Sequence, residues 1–145
     1  MDGSQFAENA GITAADLARR YSARLIILHV AKYRSNELEI DAHSVAVGLP
    51  LSDPVVDKLK HEVGESMLRV VTYAKSLGVV VDQQTTNTSS SIEENISNFA
   101  YRNEVDLVVL GTRGLNEFKT SLLGSVSEGL VKHSRCSVLV VKSPS

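Results

Sequence analysis

Four short aliphatic runs, separated by stretches of helical periodicity, restrict the folds open to this 145-residue chain. The runs are Leu25-Ile26-Ile27-Leu28 within Arg24 to Val30, Val79-Val80-Val81 fading into Gln83 to Thr86, Leu107 to Leu110, and Val138 to Val141. Each is continuous rather than alternating, so both faces of each strand need cover, the pattern of buried parallel strands. Parallel strands need long crossovers, and the intervening segments supply them. Ala7, Ala10, Ala14, Leu17, Ala18 and Tyr21 share one helical stripe, with small residues suited to close packing. Asp53 and Pro54 read as the cap and first position of a second helix. Its inner stripe is Val56, Leu59, Val63, Met67, Val70, Ala74 and Leu77, with Gly78 as its stop. Ser90 and Glu93 have capping-box spacing for a third helix, facing inward through Ile92, Ile96, Phe99 and Ala100. A fourth helix is expected from Ser125 to His133, followed by a last strand from Ser137 to Val141. Ala31 to Asp53 lacks a sustained period and reads as a long connection with a short helix around Ser35 to Ile40. The alternation predicts a parallel α/β sheet with right-handed crossovers in one domain, residues 1–145.

The third run opens into a glycine-spaced loop that leads into a helix. From Gly111 through Gly114 to Gly124 and Ser125 the spacing is G-x2-G-x9-G-S. Glycine admits close backbone approach, and a helix N-terminus offers unpaired N–H donors to an anion. The loop follows a parallel strand, where ligands of open α/β sheets collect. It is not a Walker loop, because Phe118 rather than glycine precedes Lys119-Thr120. The dinucleotide fingerprint G-x-G-x-x-G is absent, which disfavours a nicotinamide cofactor. The alternative is a plain turn in which the glycines relieve strain.

Other candidates are weaker. Asp2-Gly3-Ser4 reads as a helix cap or, with a ligand, as a carboxylate that accepts from a base or ribose. His29 at a strand end is expected to be a hydrogen-bonded core residue. His43, His61, His133 and Cys136 lack metal-ligand spacing, and nothing assembles a nucleophile, base and oxyanion set. Fifteen Lys and Arg against seventeen Asp and Glu disfavour nucleic acid as partner. No apolar stretch is long enough to span a bilayer, no signal peptide opens the chain, and the lone Cys136 suits a reducing compartment. A cytoplasmic location is expected.

Asp2-Gly3-Ser4, Leu28-His29-Val30, Asp106 to Gly114, Gly124-Ser125-Val126-Ser127 and Val138 to Val141, in that order, resemble the universal stress protein family, in its ATP-binding branch. The resemblance implies a doubly wound open parallel sheet of order 3-2-1-4-5, like that of the adenine nucleotide alpha-hydrolases. It implies a nucleotide at the strand C-termini, with ATP, AMP or ADP as ligand and Mg2+ as an optional companion. By position Gly111, Gly114, Gly124 and Ser125 would meet phosphates and ribose. Leu110, Thr112, Arg113, Val126 and Ser127 would line the site, and Asp2 and the Val30 backbone would read adenine. Cyclic nucleotides fit the same amides. The family pairs its last strand across a two-fold axis, here Ser137 to Val141. It also begins with an aliphatic strand before the Asp, and Met1 is all that precedes Asp2 here. The first strand of the order is therefore expected to be missing from this sequence, or the sheet to be built around a gap. The functional expectation is a nucleotide-binding regulatory homodimer of a stress response. The alternatives are slow ATP hydrolysis or self-phosphorylation on Ser125, Ser127 or Thr112, and a nucleotide-free dimerisation scaffold.

Overall fold

A computed structural model describes residues 1–32, 54–112 and 123–142. The order is α1 (Gln5–Tyr21), β1 (Leu25–Lys32), α2 (Pro54–Ser76), β2 (Val81–Thr88), α3 (Ile92–Arg102), β3 (Leu107–Gly111), α4 (Ser125–His133) and β4 (Ser137–Val141). The α/β class and the parallel pairing agree with the sequence. β1 pairs parallel with β2, from Leu25 opposite Val81 to Lys32 opposite Thr88. β3 pairs parallel with β4, from Leu107 opposite Ser137 to Gly111 opposite Val141. Among the described residues these are two separate two-stranded sheets. Each strand therefore has an edge without a ladder partner there, and most strand aliphatics are only half-buried; Ile27 is the buried one. The expected cover on both strand faces is met only in part.

The core lies where α1, α2 and β1 meet. Val63, Met67, Val70 and Val71 of α2 cluster with Ile27. Ala15 and Ala18 of α1 cluster with Ala74 and Val79. Helix α1 approaches α2 so closely at Gly11 that an added Cβ would sit 2.8 Å from both methyls of the fully buried Val70. Polar contacts bind the same pair: Arg69 Nε donates to both Glu8 carboxylate oxygens at 3.1 and 3.0 Å, and the buried Ser66 hydroxyl donates to Glu8 at 3.3 Å. Tyr73 donates to Asp16 at 2.8 Å, which holds its phenol above the usual pKa.

Several boundaries differ from expectation. The buried face of α1 is Ala10, Ala15 and Ala18, and Tyr21 is 75% exposed, because left-handed Ser22 (φ 52°) ends the helix there. Leu59 is 42% exposed rather than part of the α2 stripe, and Val71 is buried instead. Gly78 at φ +75° closes α2 as the sequence suggests. The aliphatic run Val79-Val80-Val81 is mostly a lead-in: β2 starts at Val81 and continues to Thr88 through residues expected to be past its end. The cap of α3 is Ser91, whose hydroxyl accepts from the Glu94 amide, not Ser90. Helix α4 and strand β4 have the expected bounds. The 31–53 connection beyond Lys32, its short helix and Asp53 lie outside the described residues. Among those described, no helix is long and apolar enough to cross a membrane.

Candidate functional site

The C-terminal ends of β1 and β3 and the N-terminal ends of α1 and α4 form one connected region. It starts at β1, where His29 Nδ1 lies 2.6 Å from the carbonyl oxygen of Met1 and the Met1 ammonium donates to the Leu28 carbonyl. Burial pushes that ammonium below the ordinary amine pKa, and the neighbouring Asp2 charge opposes the shift. Asp2 Oδ1 accepts from the Ser4 amide at 3.0 Å and from the Ser4 hydroxyl at 2.7 Å. The Ser4 hydroxyl in turn accepts from the Ala7 amide at 3.1 Å, capping α1. Both readings of Asp2-Gly3-Ser4 thus refer to one object. Ser4 is the cap, and Asp2 is a half-buried carboxylate held by that cap. Gly3 at φ +84° makes the bend.

From α1 the region continues to β3. Gly111 is buried against the first turn of α1, with Phe6 backbone and side-chain atoms where a Cβ would stand. Thr112 follows, buried; its amide donates to the Val141 carbonyl at 3.2 Å and its carbonyl accepts from the Gly124 amide at 2.7 Å. Gly124 is therefore fastened to the end of β3, and α4 starts beside it. The buried Ser127 hydroxyl donates to the Gly111 carbonyl at 2.8 Å, tying the first turn of α4 to the same strand end.

The start of α4 differs chemically from those of α1 and α3. Serine side chains close those two, whereas Gly124 at φ −72°, ψ 159° makes no side-chain cap bond. The first-turn amides of a helix have no carbonyl four residues back, and the dipole makes that end electropositive. Ser125 is exposed there and Val126 half-buried. Such an end, fixed at the mouth of a parallel strand, suits an anion.

Gly111, Thr112, Gly124, Ser125, Val126 and Ser127 thus come together, with Leu110 half-buried one residue before. Arg113 and Gly114 lie outside the described residues. Val30 is not the last strand residue, because β1 continues through Ala31 and Lys32. Two of these residues also have internal roles. Gly111 is required at least by the approach of α1, whatever a ligand needs, and Ser127 is a buried tether. His29 is hydrogen-bonded as the sequence suggested, although half-buried rather than in the core, and its partner, 28 residues away, left no local signal. No group of three or more His, Cys, Asp or Glu that could hold a metal occurs among the described residues.

The profile of the universal stress protein family matches residues 1–142. The chain belongs to that family. It is 30% identical over 144 residues to universal stress protein YxiE of Bacillus subtilis, covering 98% of this chain and 95% of the relative. It is 32% identical to universal stress protein MJ0531 of Methanocaldococcus jannaschii, covering 99% and 79%. Among solved structures, universal stress protein UspA from Lactobacillus plantarum aligns with a TM-score of 0.76 at 23% identity, over 97% of this chain and 92% of that one. A universal stress protein in complex with cAMP aligns at 0.64 and 21%, over 99% and 93%. One from Archaeoglobus fulgidus in complex with dAMP aligns at 0.66 and 17%, over 96% and 90%. At these identities the structural matches establish the fold.

Proposed function

We propose that this universal stress protein is an adenine-nucleotide-binding regulatory module of a stress response, working as a homodimer in the cytoplasm. The observation that carries the reading is the start of α4: a helix end whose N-cap, Gly124, brings no capping side chain of its own, fastened to the mouth of β3 by the bond from Gly124 to Thr112. Phosphate would take the first-turn amides from Ser125 onward, with Gly111, Thr112, Arg113 and Gly114 of the glycine motif around it. Asp2 and the Val30 backbone would read the base from the neighbouring strand end. The cAMP and dAMP complexes of the two structural relatives support an adenine ligand. ATP, with Mg2+ on its phosphates, is the ligand we favour. The sheet order 3-2-1-4-5 is part of the same reading: the β1–β2 pair corresponds to strands 2 and 3, and the β3–β4 pair to strands 4 and 5. Residues 1–145 then make one domain, and the outer edge of β4, Ser137 to Val141, pairs with a second copy.

Isothermal titration tests the binding, with ATP, AMP and cAMP run in parallel. Saturable heat with at least one adenine nucleotide is expected. No heat at millimolar concentrations of all three would remove the nucleotide from the proposal, and a monomeric mass by light scattering would remove the dimer.

A further inference from the structure

We infer that His29 is a positioning residue that braces the base-reading carboxylate of Asp2 against the end of β1 and so sets the preference for adenine. The inference rests on the proposed nucleotide function. A carbonyl oxygen only accepts, so the 2.6 Å contact requires the Nδ1 of His29 to carry the proton and donate to Met1. The carbonyl that His29 holds belongs to the peptide joining Met1 to Asp2. His29 is also the residue immediately before Val30. One side chain therefore connects the two groups assigned to the base: the Asp2 carboxylate through the Met1–Asp2 peptide, and the Val30 backbone through its own chain.

The bonds from Ser4 restrain Asp2 from the helix side. Its Oδ1 is held by the amide and hydroxyl of Ser4, and Ser4 belongs to α1 through Ala7. Gly3, between them, lies against α2, where an added Cβ would stand 3.3 Å from the Val63 amide nitrogen. These bonds fix Asp2 relative to the helices. His29, with the neighbouring bond from the Met1 ammonium to Leu28, fixes it relative to the strand. Reading a base edge with two groups from different elements requires their separation to be held within roughly half an ångström. Phosphate binding at the start of α4 involves neither group. Loss of the brace should thus affect base choice far more than phosphate affinity.

The test measures ATP and GTP affinity for the full chain and three variants. His29→Leu removes the donor. His29→Asn places an amide N–H near the Nδ1 position, whereas His29→Gln carries its amide out to the Nε2 position. The wild type should prefer ATP. His29→Leu and His29→Gln should lose about fivefold of that ATP-to-GTP ratio, the equilibrium value of one lost hydrogen bond. The decline should lie mainly in ATP affinity, and His29→Asn should restore most of the ratio. In ligand-free protein the Ser4 amide resonance should move in His29→Gln and stay close to wild type in His29→Asn. If His29→Leu does not fold, the Asn and Gln pair decides alone. A wild-type preference for ATP that His29→Gln retains overturns the inference and leaves the proposed function standing. Equal losses of ATP and GTP affinity also overturn it, since they indicate a general folding role. A wild type that binds neither nucleotide overturns the function and this inference together.

Discussion

Gly111→Ala separates two reasons for a glycine at the mouth of β3. One is ligand access: a side chain there would crowd a phosphate. The other is internal: an added Cβ would lie 2.7 Å from the Phe6 carbonyl oxygen and 2.8 Å from its carbonyl carbon and Cβ. Ordinary contact begins near 3.4 Å, so the first turn of α1 must retreat by 0.7 Å (3.4 − 2.7). The obstruction is backbone, which cannot rotate aside as a side chain would. That turn also carries the Ser4 cap and, two residues on, Glu8 with its bonds to Arg69 and Ser66. Overpacking costs about 1–3 kcal/mol, and a backbone clash belongs at the upper end. Replacing glycine stiffens the unfolded chain and returns about 0.4–1 kcal/mol. The net is a loss of about 2 kcal/mol, hence a melting temperature lower by about 4–8 °C for a chain of this size. Gly64→Ala is the control. Gly64 lies inside α2 with nothing within 4 Å of an added Cβ, so alanine there should stabilise by about 0.5–1 kcal/mol. Urea and thermal unfolding, followed by circular dichroism, read both variants. If Gly111→Ala melts within about 1 °C of wild type, less than 1 kcal/mol would produce, the packing argument is refuted. Unchanged stability with lost nucleotide affinity would then assign the glycine to the ligand alone.

Other outcomes follow from single contacts. Ser127→Ala removes the buried bond to the Gly111 carbonyl and should lower stability by about 1 kcal/mol in urea titrations. Gly124→Asp adds a capping carboxylate where the backbone already has extended geometry, so unfolding should show a gain of a few tenths of a kcal/mol. The same charge faces the proposed phosphate, and titration calorimetry should show ATP affinity falling at least about tenfold, the effect of 1.4 kcal/mol. Tyr73 donates to Asp16, which favours the neutral phenol and raises its pKa above 10.0. Its stabilising contribution is fully present below pH 10.0 and is lost as pH rises through the folded-state pKa. Unfolding measured across that range should show a steeper alkaline decline for wild type than for Tyr73→Phe.

The sequence carried the helices and strands that local chemistry dictates, and the departures trace to competition between neighbours. Ser90–Glu93 and Ser91–Glu94 are overlapping capping boxes with identical spacing. The Thr88 hydroxyl decides between them by accepting from the Ser90 amide and bonding the Ser90 hydroxyl, which commits Ser90 to the end of β2 and leaves Ser91 as the cap. β2 runs through Gln83 to Thr88 without apolar periodicity because ladder bonds to β1 hold it, and burial at the sheet edge adds little. Periodicity reports burial, so it loses a strand wherever the ladder alone sustains it. The site divides along the same line. The glycine spacing was legible because one short segment, from β3 into α4, writes it. The brace at His29 and the clamp of Glu8 on Arg69 and Ser66 join residues 28 to 61 positions apart, and only the folded chain brings them together. One glycine can satisfy a ligand and a helix at once, and spacing alone cannot say which. The folded chain shows the second demand at Gly111, and the paired readout of stability and affinity in Gly111→Ala measures how much of the first remains.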